Sequence, residues 1–274
     1  MVTSVETARL NRLRIAAFAD LHFRVNSQGT LLPLLTQVAH SADVLVLCGD
    51  LTDHGHPEEA RALAKELSGA VAVPILAVLG NHDYESGHND EVAAILAGAG
   101  VTMLDGDAAE IHGVGFAGVK GFPGGFGRGT LSSFGEPAVK RFVQEALEEA
   151  MKLERALLRL RTMHRIAVLH YSPIRATVEG EPLEIFPYLG CSRLEEPLNR
   201  YQVTACVHGH AHNGAPEGRT ATGVPVYNVA LPLMRKHFPD RPPFRLLDLP
   251  NGGKPEPRER EPVASDVLGM RAGE

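Results

Sequence analysis

Asn81, His82 and Asp83 put an amide, an imidazole and a carboxylate side by side, directly after Gly80. Such side chains can ligate a cation, bind an anion or carry a proton. Alone, Gly-Asn-His-Asp could be only a turn, because three of its four residue types are turn formers. The same chemistry recurs elsewhere, in Asp20-Leu21-His22, in Gly49-Asp50-Leu51-Thr52-Asp53, at His170, and in His208-Gly209-His210-Ala211-His212. Carboxylate, imidazole and amide donors without thiolates suit a borderline-hard cation such as Mn²⁺, Fe or Zn²⁺. In an extended segment, residues two apart point to one side, so Asp20 and His22 are expected to grip one ion, and His210 and His212 likewise. The set Asp20, His22, Asp50, Asn81, His170, His210 and His212 is too large for one tetrahedral ion. If one carboxylate bridges, the donors divide into four bonds to each of two ions about 3.5–4 Å apart, with positions left for water. A histidine taken singly is ordinarily a satisfied polar group, and His40, His54, His56, His88, His112, His164 and His237 are read that way.

Each chemical stretch follows a short apolar run. Arg14–Ala19 leads into Asp20, Asp43–Cys48 into Gly49-Asp50, Val73–Leu79 into Gly80, Arg165–Leu169 into His170 and Val203–Val207 into His208. Short, continuous, turn-bounded apolar runs read as strands buried on both faces. Strands that share a sheet and end in polar clusters deliver those groups to one crevice at their carboxyl edge. Between the early strands lie helical patterns at Thr30–His40, at Pro57–Leu67 with proline first and acids in its first turn, and at Asn89–Ala97, with Asn89 as the cap and Gly98 as the stop. That alternation is the pattern of an α/β fold.

Further along, Val101–Leu104, a Gly106-Asp107 turn and Glu110–Val119 read as shorter β elements. Gly121–Gly129 is glycine-rich but lacks the Gly-Lys-Ser/Thr ending of a phosphate-binding loop. It is either a plain connection or a border of the crevice, with Phe122, Phe126 and Arg128 as contacts. Pro137–Arg161 is the longest helical pattern, with Phe142, Ala146, Met151, Leu153, Leu157 and Leu160 as its apolar residues, Glu148–Lys152 as an i,i+4 pair, and its charges on a solvated face. Thr177–Leu198 has no clear period, and an irregular stretch this long in a compact domain is usually functional or disordered. Tyr171 and Arg175, at the end of the preceding strand, and Phe186 and Tyr188 within the stretch are its candidate substrate contacts. Val224–Val229 and Phe244–Leu249 read as late strands. Residues 1–250 are expected to form one domain, and 251–274, rich in Pro, Gly and charge, a disordered tail.

At 274 residues with 44% hydrophobic residues, the chain can bury a large core, and a net charge of −6 offers no basic field for nucleic acid. Three cysteines cannot all pair within the chain; Cys48 and Cys206 fall in core strands, which suits a reducing cytoplasm. Met1–Arg14 has no leader pattern, and no apolar run is long enough for a bilayer, so a cytoplasmic protein is expected, with a homo-oligomer left open.

Together the blocks Asp20-x-His22, Gly49-Asp50-x-x-Asp53, Gly80-Asn81-His82-Asp83, His170 and Gly209-His210-Ala211-His212 resemble the signature of the calcineurin-like metallophosphoesterases, complete and in family order. The small bacterial phosphodiesterase-type members are the nearest in kind. The resemblance implies a four-layer α-β-β-α sandwich of two mixed sheets flanked by helices, with two metals at their edge. It assigns Asp20, His22, Asp50 and His212 to one ion, and Asp50, Asn81, His170 and His210 to the other, with Asp50 bridging. His82 would touch the substrate phosphate and protonate the leaving oxygen; Asp53 and Asp83 would orient ligands or His82 from behind, Asp83 being counted with His82 as catalytic, and His208 would support ligands likewise. The implied reaction is metal-dependent hydrolysis of a small-molecule phosphate ester, a bridging hydroxide attacking phosphorus in line. A phosphodiester is favoured, with phosphomonoesterase or nuclease as alternatives. A non-catalytic scaffold should have lost ligands, and none is missing. A redox di-metal protein should carry Glu-x-x-His on helices, which is absent.

Overall fold

The computed structural model describes residues 12–250; the expected tail at 251–274 lies outside them. In chain order the strands are β1 (Arg12–Phe18), β2 (Val44–Cys48), β3 (Ile75–Val78), β4 (Val101–Met103), β5 (Asp107–Ile111), β6 (Val114–Val119), β7 (His164–Leu169), β8 (Ala205–His208), β9 (Glu217–Arg219), β10 (Pro225–Asn228) and β11 (Arg245–Pro250). The helices are α1 (Leu32–Ser41), α2 (Pro57–Ala70), α3 (Asn89–Gly98), α4 (Pro137–Arg159) and the short α5 (Phe186–Leu189), α6 (Glu195–Arg200) and α7 (Leu231–His237). One sheet has the order β11-β1-β2-β3-β4, parallel except for β11; the other runs β5-β6-β7-β8-β10-β9, parallel in the middle with antiparallel strands at both edges.

Side chains alternate across each strand, so every central strand feeds two cores. From β1, β2 and β3, Ala16, Phe18, Leu45, Leu47, Ile75 and Ala77 face helices α1–α3 and meet Leu35, Leu63, Leu67 and Leu96. The alternate residues Ile15, Ala17, Val44, Val46, Leu76 and Val78 face the other sheet and meet Val114, Phe116, Ile166, Val168 and Val207. The outer face of that sheet, through Ala117, Val119, Ala167 and Leu169, packs on Leu153, Ala156 and Leu157 of α4. Three cores stacked this way make four layers, α-β-β-α. Fully burying each aliphatic side chain contributes about 1.5–3 kcal/mol, which is why these strands are apolar without a break.

Several local expectations are corrected. Asn89 is the first residue of α3 and not its cap; its side chain bonds Asp90 at 2.9 Å, and the chain leaves the helix at Gly100 (φ 91°), with Gly98 still helical. Glu110–Val119 is part of a hairpin, β5–β6, turning on His112-Gly113, both at positive φ as a two-residue turn of the I′ kind needs. The α4 stripe runs through Val143, Ala146, Leu153, Ala156 and Leu157, while Met151 is 51% exposed. Lys152 pairs with Glu149 at 2.7 Å and not with Glu148. Glu149 is itself buried, accepting the Gly121 N–H at 2.8 Å, so one charge of this helix is an anchor. Strand β9 has no counterpart among the sequence expectations. The irregular 177–198 stretch folds as single helical turns and the short helices α5 and α6.

Candidate metal centre

The carboxyl ends of β1, β2, β3, β7 and β8 deliver Asp20, Asp50, Asn81, His170 and the His210–His212 turn to one edge of the sandwich. They do so through abrupt turns. Asp20, His22, Asp50 and His210 have φ of 60°, 43°, 48° and 72°, left-handed values that L residues avoid unless their surroundings hold them. The expectation of an extended Asp20–His22 segment is therefore corrected: two left-handed residues bring these side chains together. Gly80 leaves the room required, since a Cβ there would lie 2.2 Å from Asp50 Oδ1.

Possible donor atoms gather in three overlapping groups, each within 4.8 Å: Asp20, His22 and His212; Asp50, His170 and His210; and His22, Asp50 and His82. Asp50 joins the groups. Its Oδ1 is 3.3 Å from His170 Nε2, and its Oδ2 is 3.9 Å from His22 Nε2. His212 Nε2 is 3.1 Å from Asp20 Oδ1. His210 and His212 thus fall in different groups, which corrects the expectation from their two-residue spacing that they share one ion; the family resemblance divides them between two ions. Backbone amides steady both acids: His210 N–H donates to Asp20 at 3.1 Å and His82 N–H to Asp50 Oδ1 at 2.9 Å.

The imidazoles present lone pairs inward. His170 Nδ1–H donates to the Cys48 carbonyl at 2.9 Å, leaving Nε2 bare, 2.8 Å from Asn81 Oδ1. His210 Nε2–H donates to the Tyr188 carbonyl at 3.2 Å, leaving Nδ1 free to ligate. Burial pushes the pKa of both rings down to about 3, so both are neutral. His22 Nε2 is a buried nitrogen with no hydrogen-bond partner among the described residues. Asp50 is held well above the usual carboxylate range, first by burial and then by the negative charges of Asp20 and Asp83. Bare imidazole nitrogens facing crowded acids fit cations, which would answer the orphaned lone pair and the repulsion together.

Residues 13–214 match the family description of the calcineurin-like phosphoesterases. The chain belongs to that family. Its members depend on two metal ions. The fold is similar to that of phosphopantetheinyl hydrolase from Mycobacterium tuberculosis, with a TM-score of 0.61 and 16% identity over 85% of this chain and 95% of the other. It is also similar to TT1561 of Thermus thermophilus, with a TM-score of 0.53 and 17% identity over 81% of this chain and 91% of the other. A putative 5'-nucleotidase from Staphylococcus aureus gives a TM-score of 0.51 at 15% identity, over 79% of this chain and 48% of the other. No curated protein sequence matches.

Around the centre of this phosphoesterase, the remaining candidates separate. His82 Nδ1–H donates to the Asp53 carbonyl at 2.7 Å, which leaves Nε2 unengaged at the crevice. The Asp53 carboxylate binds Arg24 Nε at 2.6 Å, and lies 3.0 Å from His54 Nε2 and 3.6 Å from His22 Nδ1. Of the two places expected for Asp83, beside His82 in the chemistry or behind the ligands, the first is corrected. Asp83 is fully buried and accepts from the backbone of Leu51, Thr52 and Gly80 and from the Thr52 hydroxyl, stitching the Asp50 turn to the Asn81 turn. His208 Nδ1–H donates to the Gly209 carbonyl at 2.8 Å, and its Nε2 is 2.8 Å from Thr177 Oγ1.

Of the substrate candidates, Phe126 and Phe186 pack together with Val178, Leu189 and Ala211, so they shape the rim and do not project from it. Tyr171 is buried, its ring 4.6 Å from that of His210 and 5.3 Å from that of His170. Arg175 lies over the Phe186 ring and near Glu179 at 3.6 Å. Arg128 and Tyr188 are exposed. Sequence reasoning missed Lys120, at the carboxyl end of β6, whose Nζ sits 5.1, 4.9 and 5.5 Å from the rings of Tyr84, Phe122 and Tyr171. Its signal is the same strand-then-polar pattern, overlooked because lysine is no metal ligand. Among the described residues, no helix is long and apolar enough to cross a membrane.

Proposed function

We propose that this phosphoesterase is a two-metal hydrolase of small-molecule phosphate esters, phosphodiesters foremost. The observation that carries the reading is Asp50, whose two oxygens face different imidazoles, His170 and His22. Asp20, His22, Asp50 and His212 would hold one ion, and Asp50, Asn81, His170 and His210 the other. Manganese, iron and zinc all match that donor set. Bound there, the ions supply Lewis acidity toward phosphate and toward water. The protein's own part is to orient and to move a proton. Asp53 fixes the His82 ring through its carbonyl, so Nε2 can bind a phosphate oxygen and, when protonated, give its proton to the leaving oxygen. Arg128, Tyr188 and Arg175 on the rim would meet the rest of the substrate, with Tyr171 as the wall behind His210. The acidic balance argues for small molecules over nucleic acid. Three free cysteines, all buried, are compatible with a reducing cytoplasm.

The test is to load the protein with Mn²⁺ and offer phosphomonoesters, phosphodiesters, cyclic nucleotides and nucleotide sugars. Metal-dependent turnover strongest on a diester is expected. Metal binding without turnover of any ester would remove the hydrolase reading, and a clear preference for monoesters would replace diesters as the substrate class.

A further inference from the structure

The segment Asn228–Leu231 lies beyond the residues matched to the family and contains no candidate ligand, yet it holds both halves of the centre. On one side it grips Ala19, the residue before Asp20: Ala19 N–H donates to the Val229 carbonyl and Leu231 N–H to the Ala19 carbonyl, each at 3.0 Å. On the other side, Val229 N–H donates to the His208 carbonyl at 2.7 Å. Asn228 is fully buried. Its Nδ2 donates to the carbonyl of Ala211, the residue between His210 and His212, at 2.7 Å, and to the Thr177 carbonyl at 3.4 Å. Its Oδ1 accepts the Ala230 N–H at 3.2 Å. The Thr177 hydroxyl completes the arrangement, 2.8 Å from His208 Nε2 and 2.8 Å from Ser172 Oγ. Its carbonyl also takes the Ala215 N–H at 3.2 Å. The fit is tight: a Cβ on Gly214 would lie 2.2 Å from the Thr177 carbonyl oxygen.

We propose that Asn228 and Thr177 are positioning residues, a clasp that keeps the His210–His212 turn, and with it Asp20, at ligating distance. Two facts require such a device. His210 sits at a φ of 72°, a conformation that persists only when its surroundings over-determine it. And the ligands come from two separate sheets, while Asn228–Leu231 bonds to the strand ends of both. A buried amide that satisfies the carbonyl between two ligands sets their spacing without touching a metal. The inference rests on the two-metal reading.

Thr177→Val and Thr177→Ser give the sharpest comparison, because the first keeps the shape and loses the hydroxyl while the second keeps the hydroxyl. Asn228→Asp replaces the donor to Ala211 by an oxygen. Co²⁺ and Zn²⁺ affinity are measured by competition with a chromophoric chelator, and the melting temperature is measured on metal-free protein. The clasp predicts about tenfold to hundredfold weaker metal binding in Thr177→Val and Asn228→Asp, the range typical of residues that orient ligands, with Thr177→Ser near wild type. If Asn228→Asp does not fold, the Thr177 pair decides. Folded Thr177→Val that binds both ions within about twofold of wild type overturns the proposal, as does a loss of melting temperature with unchanged affinity. Wild-type protein that binds no ion pair overturns the two-metal reading first and the clasp with it.

Discussion

His170 Nε2 and Asn81 Oδ1 lie 2.8 Å apart across the crevice, with the one proton of the His170 ring on the far side, committed to Cys48. Two lone pairs this close repel unless something positive joins them. A cation bound by both resolves the contact, and Asp50, 3.3 Å from the same nitrogen, completes the grip. The protein purified with its metals should therefore hold two ions per chain, and chelation should abolish hydrolysis. Elemental analysis finding one ion or none in an active sample would overturn the two-metal mechanism.

Asp50→Asn should be the most damaging single ligand substitution. One carboxylate faces both groups of imidazoles, and a neutral amide removes its charge from each. Activity should fall by on the order of a thousandfold or more, the scale of several kcal/mol of lost charge stabilisation. Turnover close to wild type would remove Asp50 from the bridging position.

His82→Ala should keep both ions and slow turnover by roughly 10²–10⁴-fold, the usual loss for a general acid. Esters with good leaving groups need no proton, so their loss should be smaller. An equal defect across leaving groups would deny His82 the role of acid, and lost metal would make it a ligand.

His208 supplies a pH test of the fold. Its ring is fully buried, and burial pushes its pKa down to about 4 from the ordinary 6.5. Between those values the unfolded chain takes up a proton that the folded chain refuses, so acid favours unfolding. The contribution is whole above pH 6.5 and drains away as pH falls toward 4, to a total of about 3 kcal/mol for this one group. Metal-free protein should melt at progressively lower temperature across that window, and His208→Gln should flatten the slope. Parallel slopes in the two proteins would show that His208 does not carry the effect.

The rim divides into structure and recognition. Phe126 packs against Val178, Phe186, Leu189 and Ala211, so Phe126→Ala should lower the melting temperature and slow all substrates alike. Tyr188 is 61% exposed, so Tyr188→Ala should spare a generic aryl phosphodiester while lowering kcat/KM for the best natural-type ester. Matching losses on both esters in Tyr188→Ala would end the recognition role.

Sequence alone determined the strand ends and their chemistry. A buried parallel strand must be apolar on both faces, so Leu45–Cys48 and Ile75–Val78 announce themselves, and polar residues directly after them have nowhere to go but the sheet edge. The family resemblance implies how those groups share out, but only the tertiary structure shows the backbone that divides them. His210 and His212 are two residues apart, yet the left-handed turn at His210 sends them to different groups, and backbone angle is not written in residue type. Asp83 adjoins His82 in the sequence and reads there as either a catalytic partner or a carboxylate that orients ligands; the packing of the Asp50 turn against the Asn81 turn buries its carboxylate among backbone amides. Asn228 and Thr177 carry no local signal, because their partners lie 17 and 31 residues away in the chain and meet them only once the sheets have formed.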